Sequence, residues 1–155
     1  MAKVSIGKKV PDFSAAATGD QTVSLKDYRG KNVVVYFYPK DSTPGCTLEG
    51  QDFRDNLAKF KRQKTVIFGV SRDSLSSHER FLEKQDFNFD LLSDPDEKLC
   101  KLFDVIREKN MYGRKVIGIE RSTFLIDALG VLRQEWRKVR VKDHVAEVLL
   151  AVKAL

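Results

Sequence analysis

The sequence has few of the residues that bind metal ions or cross-link small secreted domains. Its 155 residues include two cysteines and two histidines, and Cys46 and Cys100 are far apart in the chain. Two separated cysteines make neither a secreted disulfide framework nor the paired ligand spacing of a zinc site. We therefore expect two free thiols and neither a metal ion nor another cofactor.

Long apolar runs are also missing. No segment approaches the roughly 18 consecutive apolar residues of a membrane-spanning helix, and residues 1–7 lack the apolar core and cleavage site of a secretory signal. These absences predict no membrane association and a cytoplasmic location. Hydrophobic residues still make up 42% of the chain, which is enough to predict one folded domain over residues 1–155.

Acidic residues are outnumbered, because 28 Lys and Arg against 22 Asp and Glu give a net charge of +6. Basic residues gather near the C-terminus at Arg133, Arg137, Lys138, Arg140 and Lys142. Such a cluster could form a noncatalytic module for nucleic acid or an acidic protein, whose salt-sensitive binding would survive Cys46→Ser. The local pattern instead favours a half-solvated strand without a nucleic-acid motif. We interpret the cluster as a solvated face and expect no nucleic-acid partner.

Strand and helix patterns alternate along the chain. Runs of apolar β-formers at residues 33–38 and 65–71 indicate buried strands, and helical patterns follow at residues 46–62 and 75–84. This alternation predicts an α/β fold in which helices flank a central sheet with parallel strands.

The flanking segments make the predicted sheet mixed. The turn Gly19-Asp20 indicates an N-terminal β-hairpin, and a second hairpin precedes a C-terminal amphipathic helix. The remaining predicted segments are a strand at 89–92, a helix at 96–103, a loop through 110–113, the second hairpin at 122–127 and 131–139, and a last helix with Val145, Val148, Leu149 and Val152 inward.

Cys46 follows a buried strand and a short loop, and it begins a helix. Thr43 suits the N-cap and Pro44 the first helical position, which places Cys46 in the first turn. Free N–H groups and the helix dipole favour a thiolate there, and a cationic neighbour can lower a cysteine pKa from about 8.5 to about 3.5–7.5. Cys46 is therefore a candidate nucleophile, although a small buried hydrophobe fits the same position.

Three motifs, in order along the chain, resemble those of peroxiredoxins. Pro39, Thr43 and Cys46 match the Pro-x-x-x-Thr-x-x-Cys motif. The fuller segment resembles the bacterioferritin-comigratory (PrxQ) subfamily and reads Tyr38-Pro39-Lys40-x-x-Thr43-Pro44-Gly45-Cys46-Thr47-x-Glu49. The other two motifs are similar to the family's N-terminal signature and its arginine-bearing strand, at Gly7-x-x-x-Pro11-Asp12-Phe13 and at residues 120–127.

The resemblance implies a thioredoxin-like fold and a thiol-dependent peroxidase that reduces hydrogen peroxide and organic hydroperoxides. Cys46 would be the peroxidatic cysteine, oxidised to a sulfenic acid. The Thr43 hydroxyl would donate a hydrogen bond to the peroxide, and the Arg121 guanidinium would lie beside the thiolate. The same resemblance gives supporting roles to Pro39, which would shield the site, to the Gly45 and Cys46 amides as donors, and to Glu49, which would orient Arg121.

The sequence departs from this subfamily in its second cysteine. Gln51 and Leu82 stand at the two positions where members of the subfamily carry one. Cys100 is left as a possible resolving cysteine, although its pattern also fits a half-buried packing residue, and a disulfide needs Cα atoms within about 7 Å. We therefore expect a one-cysteine cycle in which thioredoxin, glutaredoxin or a small thiol attacks the sulfenic acid. The resemblance also implies a monomer.

Competing hypotheses fit the sequence less well. A thioredoxin-like disulfide oxidoreductase would need Cys-x-x-Cys, but Glu49 stands at the fourth position. A cysteine hydrolase would need a histidine or asparagine partner that nothing in the sequence places beside Cys46. His78 and His144 are isolated in predicted helices, and we expect both at the surface.

Overall fold

The computed structural model describes residues 3–155, which form nine strands, four α-helices and one 3-10 turn. The strands are β1 (Ser14–Ala17), β2 (Gln21–Ser24), β3 (Asn32–Phe37), β4 (Thr65–Ser71), β5 (Asp90–Ser93), β6 (Ile106–Met111), β7 (Arg114–Ile119), β8 (Ser122–Ile126) and β9 (Leu132–Trp136). The helices are α1 (Pro44–Arg62), α2 (Leu75–Gln85), α3 (Lys98–Leu102) and α4 (His144–Lys153), and the 3-10 turn is Leu25–Tyr28.

Seven strands form one mixed sheet in the order β2-β1-β5-β4-β3-β8-β9. The central strands β3, β4 and β5 are parallel, whereas β8 pairs with β3, and β9 with β8, in the antiparallel sense. β1 and β2 form the N-terminal hairpin. The predicted α/β fold with a mixed central sheet, flanking helices and an N-terminal hairpin is therefore confirmed.

The sheet separates two apolar cores. Successive residues of a strand point to opposite faces, so Val34 belongs to one core and Val35 to the other. The first core is covered by α1, α2 and α4 and contains Cys46. The second is covered by α3 and the 3-10 turn and contains Cys100. Each cysteine is thus buried on its own face of the sheet.

A two-stranded hairpin, β6 and β7, occupies the region that the sequence predicts as a loop through 110–113. That prediction is wrong for the flanking residues, which pair in regular register. Tyr112 and Gly113 close the hairpin with positive φ angles of 53° and 76°, as a two-residue turn requires. β6 has four consecutive polar residues, and β7 has two polar residues followed by mostly apolar ones, so the alternation that marks a half-buried strand is missing.

The basic cluster is exposed at Arg133, Lys138, Arg140 and Lys142, whereas Arg137 is partly buried. Arg137 donates hydrogen bonds to the carbonyl oxygens of Phe103 and Asp104. This arginine therefore ties β9 to the end of α3. Within residues 3–155, no helix has the length and apolar character needed to cross a membrane.

Candidate active site

The pairing of β3 with β8 brings two distant segments to one edge of the sheet. Phe37, the last residue of β3, is opposite Ser122, the first residue of β8. The loop that follows β3 therefore lies beside Arg121, which directly precedes β8. Thr43 is the N-cap of α1 and Pro44 its first residue, as the sequence predicts. Cys46 lies in the first turn and is 2% exposed.

Arg121 joins the two acidic groups of this edge. Its Nη2 is 3.3 Å from the Cys46 Sγ, and its Nη1 donates to the Glu49 Oε1 at 2.7 Å. Glu49 is one helical turn after Cys46, so both side chains face the guanidinium. The guanidinium therefore has one donor directed at the sulfur and another at the carboxyl group. The structure thus brings together three of the residues that the sequence predicts for the site.

Glu49 is fully buried, and burial raises its pKa from 4.5 to about 7 although Arg121 opposes the shift. Its Oε2 has no hydrogen-bond partner among the described residues. Burial alone would lower the pKa of Arg121, but Glu49 and Cys46 together raise it. The guanidinium therefore stays charged and shared between a sulfur and a weakly acidic carboxyl group.

The raised pKa of Glu49 should make the free energy of unfolding depend on pH. Folding favours the protonated acid, so its contribution is complete below pH 4.5 and is lost as the pH rises through about 7. Glu49→Gln is neutral throughout. We expect the unfolding free energy of the wild type, relative to this variant, to fall by about 3 kcal/mol across that window in denaturant titrations. A difference that does not change with pH would contradict the assignment.

The Thr43 hydroxyl lies in the loop and donates to the Lys40 carbonyl oxygen at 2.8 Å. A carbonyl oxygen only accepts, so the proton of this hydroxyl is already used. The role of donor to the peroxide, which the sequence predicts, therefore does not fit. The Thr43 oxygen keeps its capacity to accept a hydrogen bond.

Gly45 and Pro39, to which the resemblance gives supporting roles, lie in the first turn of α1 and at the start of the loop before it. A Cβ atom on Gly45 would lie 3.1 Å from the Arg121 Nη2, which is tighter than ordinary contact. Glycine therefore permits the guanidinium to approach the helix end. Pro39 is half-buried at the start of the loop, directly after the buried Tyr38.

Cys100 has none of the features of a reactive thiol. The residue is fully buried, and burial, followed by the hydrogen bond and charge of Asp94, raises the pKa of its thiol far above neutrality. The sequence predicts a half-buried residue here, and the structure shows a deeper one because α3 packs flat on the sheet. Gln51, at one of the missing cysteine positions, donates to the Gln85 side chain of α2 at 2.9 Å.

Both histidines are buried, so the prediction that they lie at the surface is wrong. His78 is 0% exposed and contacts Asp41, a loop residue that sequence reasoning missed. One signal was available, because His78 lies three and four residues before Phe81 and Leu82, on the apolar face of α2. His144 bonds to the Thr123 hydroxyl at 2.8 Å. Burial, with a smaller effect of Arg121, lowers the pKa of His144 to about 4.

A metal centre is not part of this arrangement. Within residues 3–155, no group of three or more histidine, cysteine, aspartate and glutamate side chains could hold a metal ion.

The chain is similar to known proteins both in sequence and in fold. The family model described as "AhpC/TSA family" matches residues 6–135. Peroxiredoxin Bcp of Bacillus subtilis (strain 168) is 52% identical over 150 residues, which cover 97% of this chain and 96% of the relative. A structure of Xanthomonas campestris Peroxiredoxin Q has a TM-score of 0.90 at 50% identity, covering 99% of this chain and 97% of that one. A Xylella fastidiosa PrxQ mutant has a TM-score of 0.93 at 44% identity, covering 99% and 98%.

Fold and relatives together define a thiol-dependent peroxidase with a thioredoxin-like fold, which confirms the predicted fold and activity. More narrowly, the chain belongs to the peroxiredoxins, in the bacterioferritin-comigratory (PrxQ) group. Peroxide is therefore the substrate class.

Proposed function

We propose that Cys46 reduces hydrogen peroxide and organic hydroperoxides in a one-cysteine cycle completed by an external thiol. The observation that carries this proposal is the 3.3 Å contact between the Arg121 Nη2 and the Cys46 Sγ at the N-terminus of α1. A Xanthomonas campestris relative is described as having alkyl peroxide reduction activity, which supports organic hydroperoxides as substrates here.

In the first step, the Cys46 thiolate attacks the nearer peroxide oxygen and the O–O bond breaks. The sulfur is oxidised to a sulfenic acid, and the other oxygen leaves as an alkoxide or hydroxide that takes up a proton from solvent. Charge moves from sulfur to oxygen, so donors that face both atoms stabilise the transition state more than the ground state. These donors are the Arg121 guanidinium and the amides of Gly45 and Cys46. The Thr43 oxygen accepts a hydrogen bond from the peroxide O–H group.

In the second step, an external thiol attacks the sulfenic sulfur and releases water, which leaves a mixed disulfide on Cys46. A second thiol then reduces this disulfide and restores the free cysteine. Cys100 is a poor candidate for the attacking thiol, because it is buried in the other core with a raised pKa. Thioredoxin, glutaredoxin or a small thiol would serve as the reductant.

A monomer in the cytoplasm fits this cycle. Arg121 reaches Cys46 and Glu49 within the same chain, and the proposed steps call on no further side chain. Cys46 and Cys100 are both free, as expected in a compartment whose thiol pool keeps cysteines reduced.

Intact-mass analysis after one equivalent of hydrogen peroxide distinguishes the two possible cycles. We expect the wild type and Cys100→Ser each to gain one oxygen atom, because the sulfenic acid finds no second thiol within reach. With an external thiol present, Cys100→Ser should keep most of the peroxidase rate. A loss of two hydrogens in the wild type alone would instead establish a Cys46–Cys100 disulfide and refute the one-cysteine cycle.

A further inference from the structure

A buried polar cluster lies behind the active-site loop, away from the reacting atoms. The Asp41 carboxylate, 2% exposed, accepts hydrogen bonds from the Tyr38 hydroxyl at 2.6 Å and the Ser77 hydroxyl at 2.8 Å. His78 of α2, with no exposed surface, places its Nδ1 2.7 Å from the same carboxylate. The His78 Nε2 is 2.9 Å from the Leu92 carbonyl oxygen of β5.

Both ring nitrogens of His78 lie within hydrogen-bond distance of oxygen atoms. A carbonyl oxygen only accepts, so Nε2 donates to Leu92. Nδ1 and the Asp41 carboxyl group share the second hydrogen bond, which is buried on both sides, so losing one partner would leave the other buried and unsatisfied. His78 therefore links the loop residue Asp41 to both α2 and β5.

The loop held by this pair has a strained backbone. Ser42, between Asp41 and Thr43, has a φ of +61°, which side chains other than glycine rarely adopt. The Asp41 amide is also fixed, because it donates to the Asp73 carboxylate at 2.9 Å. Such a conformation persists only where its surroundings hold it. The neighbouring Lys40 carbonyl is the group that orients the Thr43 hydroxyl.

We propose that His78 is a positioning residue for the peroxide step, acting through Asp41 to hold residues 40–43 in the geometry that aims the Thr43 oxygen at the substrate. The helix end and Arg121, which act on the sulfur, are held separately by Glu49. Loss of His78 should therefore misplace the peroxide and leave the thiolate in place. The inference concerns only the oxidation of Cys46, so it does not depend on which thiol later reduces it.

Two rates measured on the same cysteine test this separation. Alkylation of Cys46 by iodoacetamide needs a thiolate, whereas oxidation by hydrogen peroxide also needs an aligned O–O bond. In His78→Leu we expect the oxidation rate constant to fall about tenfold to a hundredfold, as misplacement by about 1 Å can produce. The alkylation rate constant should stay within about twofold of the wild type, because the groups that hold the sulfur are unchanged.

Three further variants separate positioning from general destabilisation. His78→Asn keeps a donor toward Asp41 and should recover most of the lost oxidation rate. Asp41→Asn changes the other partner of the pair by replacing its carboxyl group with an amide. This variant should reproduce the defect of His78→Leu. Phe60→Leu, at the far end of α1 and fully buried, lowers stability without touching the cluster and should change neither rate.

The proposal is overturned if His78→Leu oxidises at the wild-type rate, if oxidation and alkylation fall together, or if His78→Asn is as slow as His78→Leu. Where His78→Leu does not fold, Asp41→Asn decides by the same two rates. An Asp41→Asn protein with wild-type oxidation would overturn the proposal as well.

Discussion

Cys46→Ser should reduce peroxide no faster than the buffer does, whichever thiol is supplied. A serine hydroxyl at this helix end is not ionised at neutral pH, and no other group in the site can cleave the O–O bond. The measurement is peroxide consumption coupled to thiol oxidation, with Cys100→Ser as the matched control. The two substitutions exchange the same atoms in equally buried settings, at 2% and 0% exposure, on opposite faces of the sheet.

The Cys100→Ser control shows whether a loss of activity is specific to Cys46. Cys100→Ser should keep most of the activity, because Cys100 lies in the other core. If Cys46→Ser stays active, or if both variants are inactive while folded, the assignment of Cys46 as the only nucleophile is wrong.

Arg121→Gln should lower the rate constant for oxidation of Cys46 by a factor of about 10²–10³, the usual cost of losing one transition-state donor. Stopped-flow measurement of a single turnover gives this constant directly. Arg121→Lys keeps the charge but loses the planar fork that reaches both Cys46 and Glu49, so it should recover only part of the rate.

Glu49 complicates this substitution, because removing Arg121 leaves a buried carboxyl group without its partner. The double variant Arg121→Gln/Glu49→Gln provides the control, since it removes the buried carboxyl group as well. We expect the double variant to be more stable than Arg121→Gln and equally slow. An oxidation rate restored by the second substitution would mean that the damage came from Glu49 and not from the lost donor.

The central strands and the helix start were predictable because their signals are local. β3 and β4 are each centred on a run of apolar β-formers, and β4 has the predicted bounds, Thr65–Ser71. Thr43 and Pro44 mark the start of α1 by their own chemistry. The proximity of Arg121 to Cys46 has no local signal, because it depends on the pairing of β3 with β8. It was predicted only from the resemblance to peroxiredoxins.

The features that could not be predicted from the sequence depend on contacts between separate elements. In the β6–β7 hairpin polar and apolar residues do not alternate, so the sequence carries no strand pattern there. Histidine is a polar residue, and His78 can be buried because Asp41, which lies in the loop before α1, supplies a hydrogen-bond partner. The direction of the Thr43 hydroxyl is set by the carbonyl of Lys40, which a motif of side chains cannot show.

The seven-stranded sheet between the two sulfurs determines how long an oxidised molecule survives. With no thiol of its own within reach, the sulfenic acid waits for a collision, so its lifetime is set by the concentration of reductant around it. Where reductant is scarce, a second peroxide molecule reacts first and converts the sulfur to a sulfinic acid, which a simple thiol does not reverse. The fraction of permanently inactivated protein should therefore increase with the ratio of peroxide to reductant.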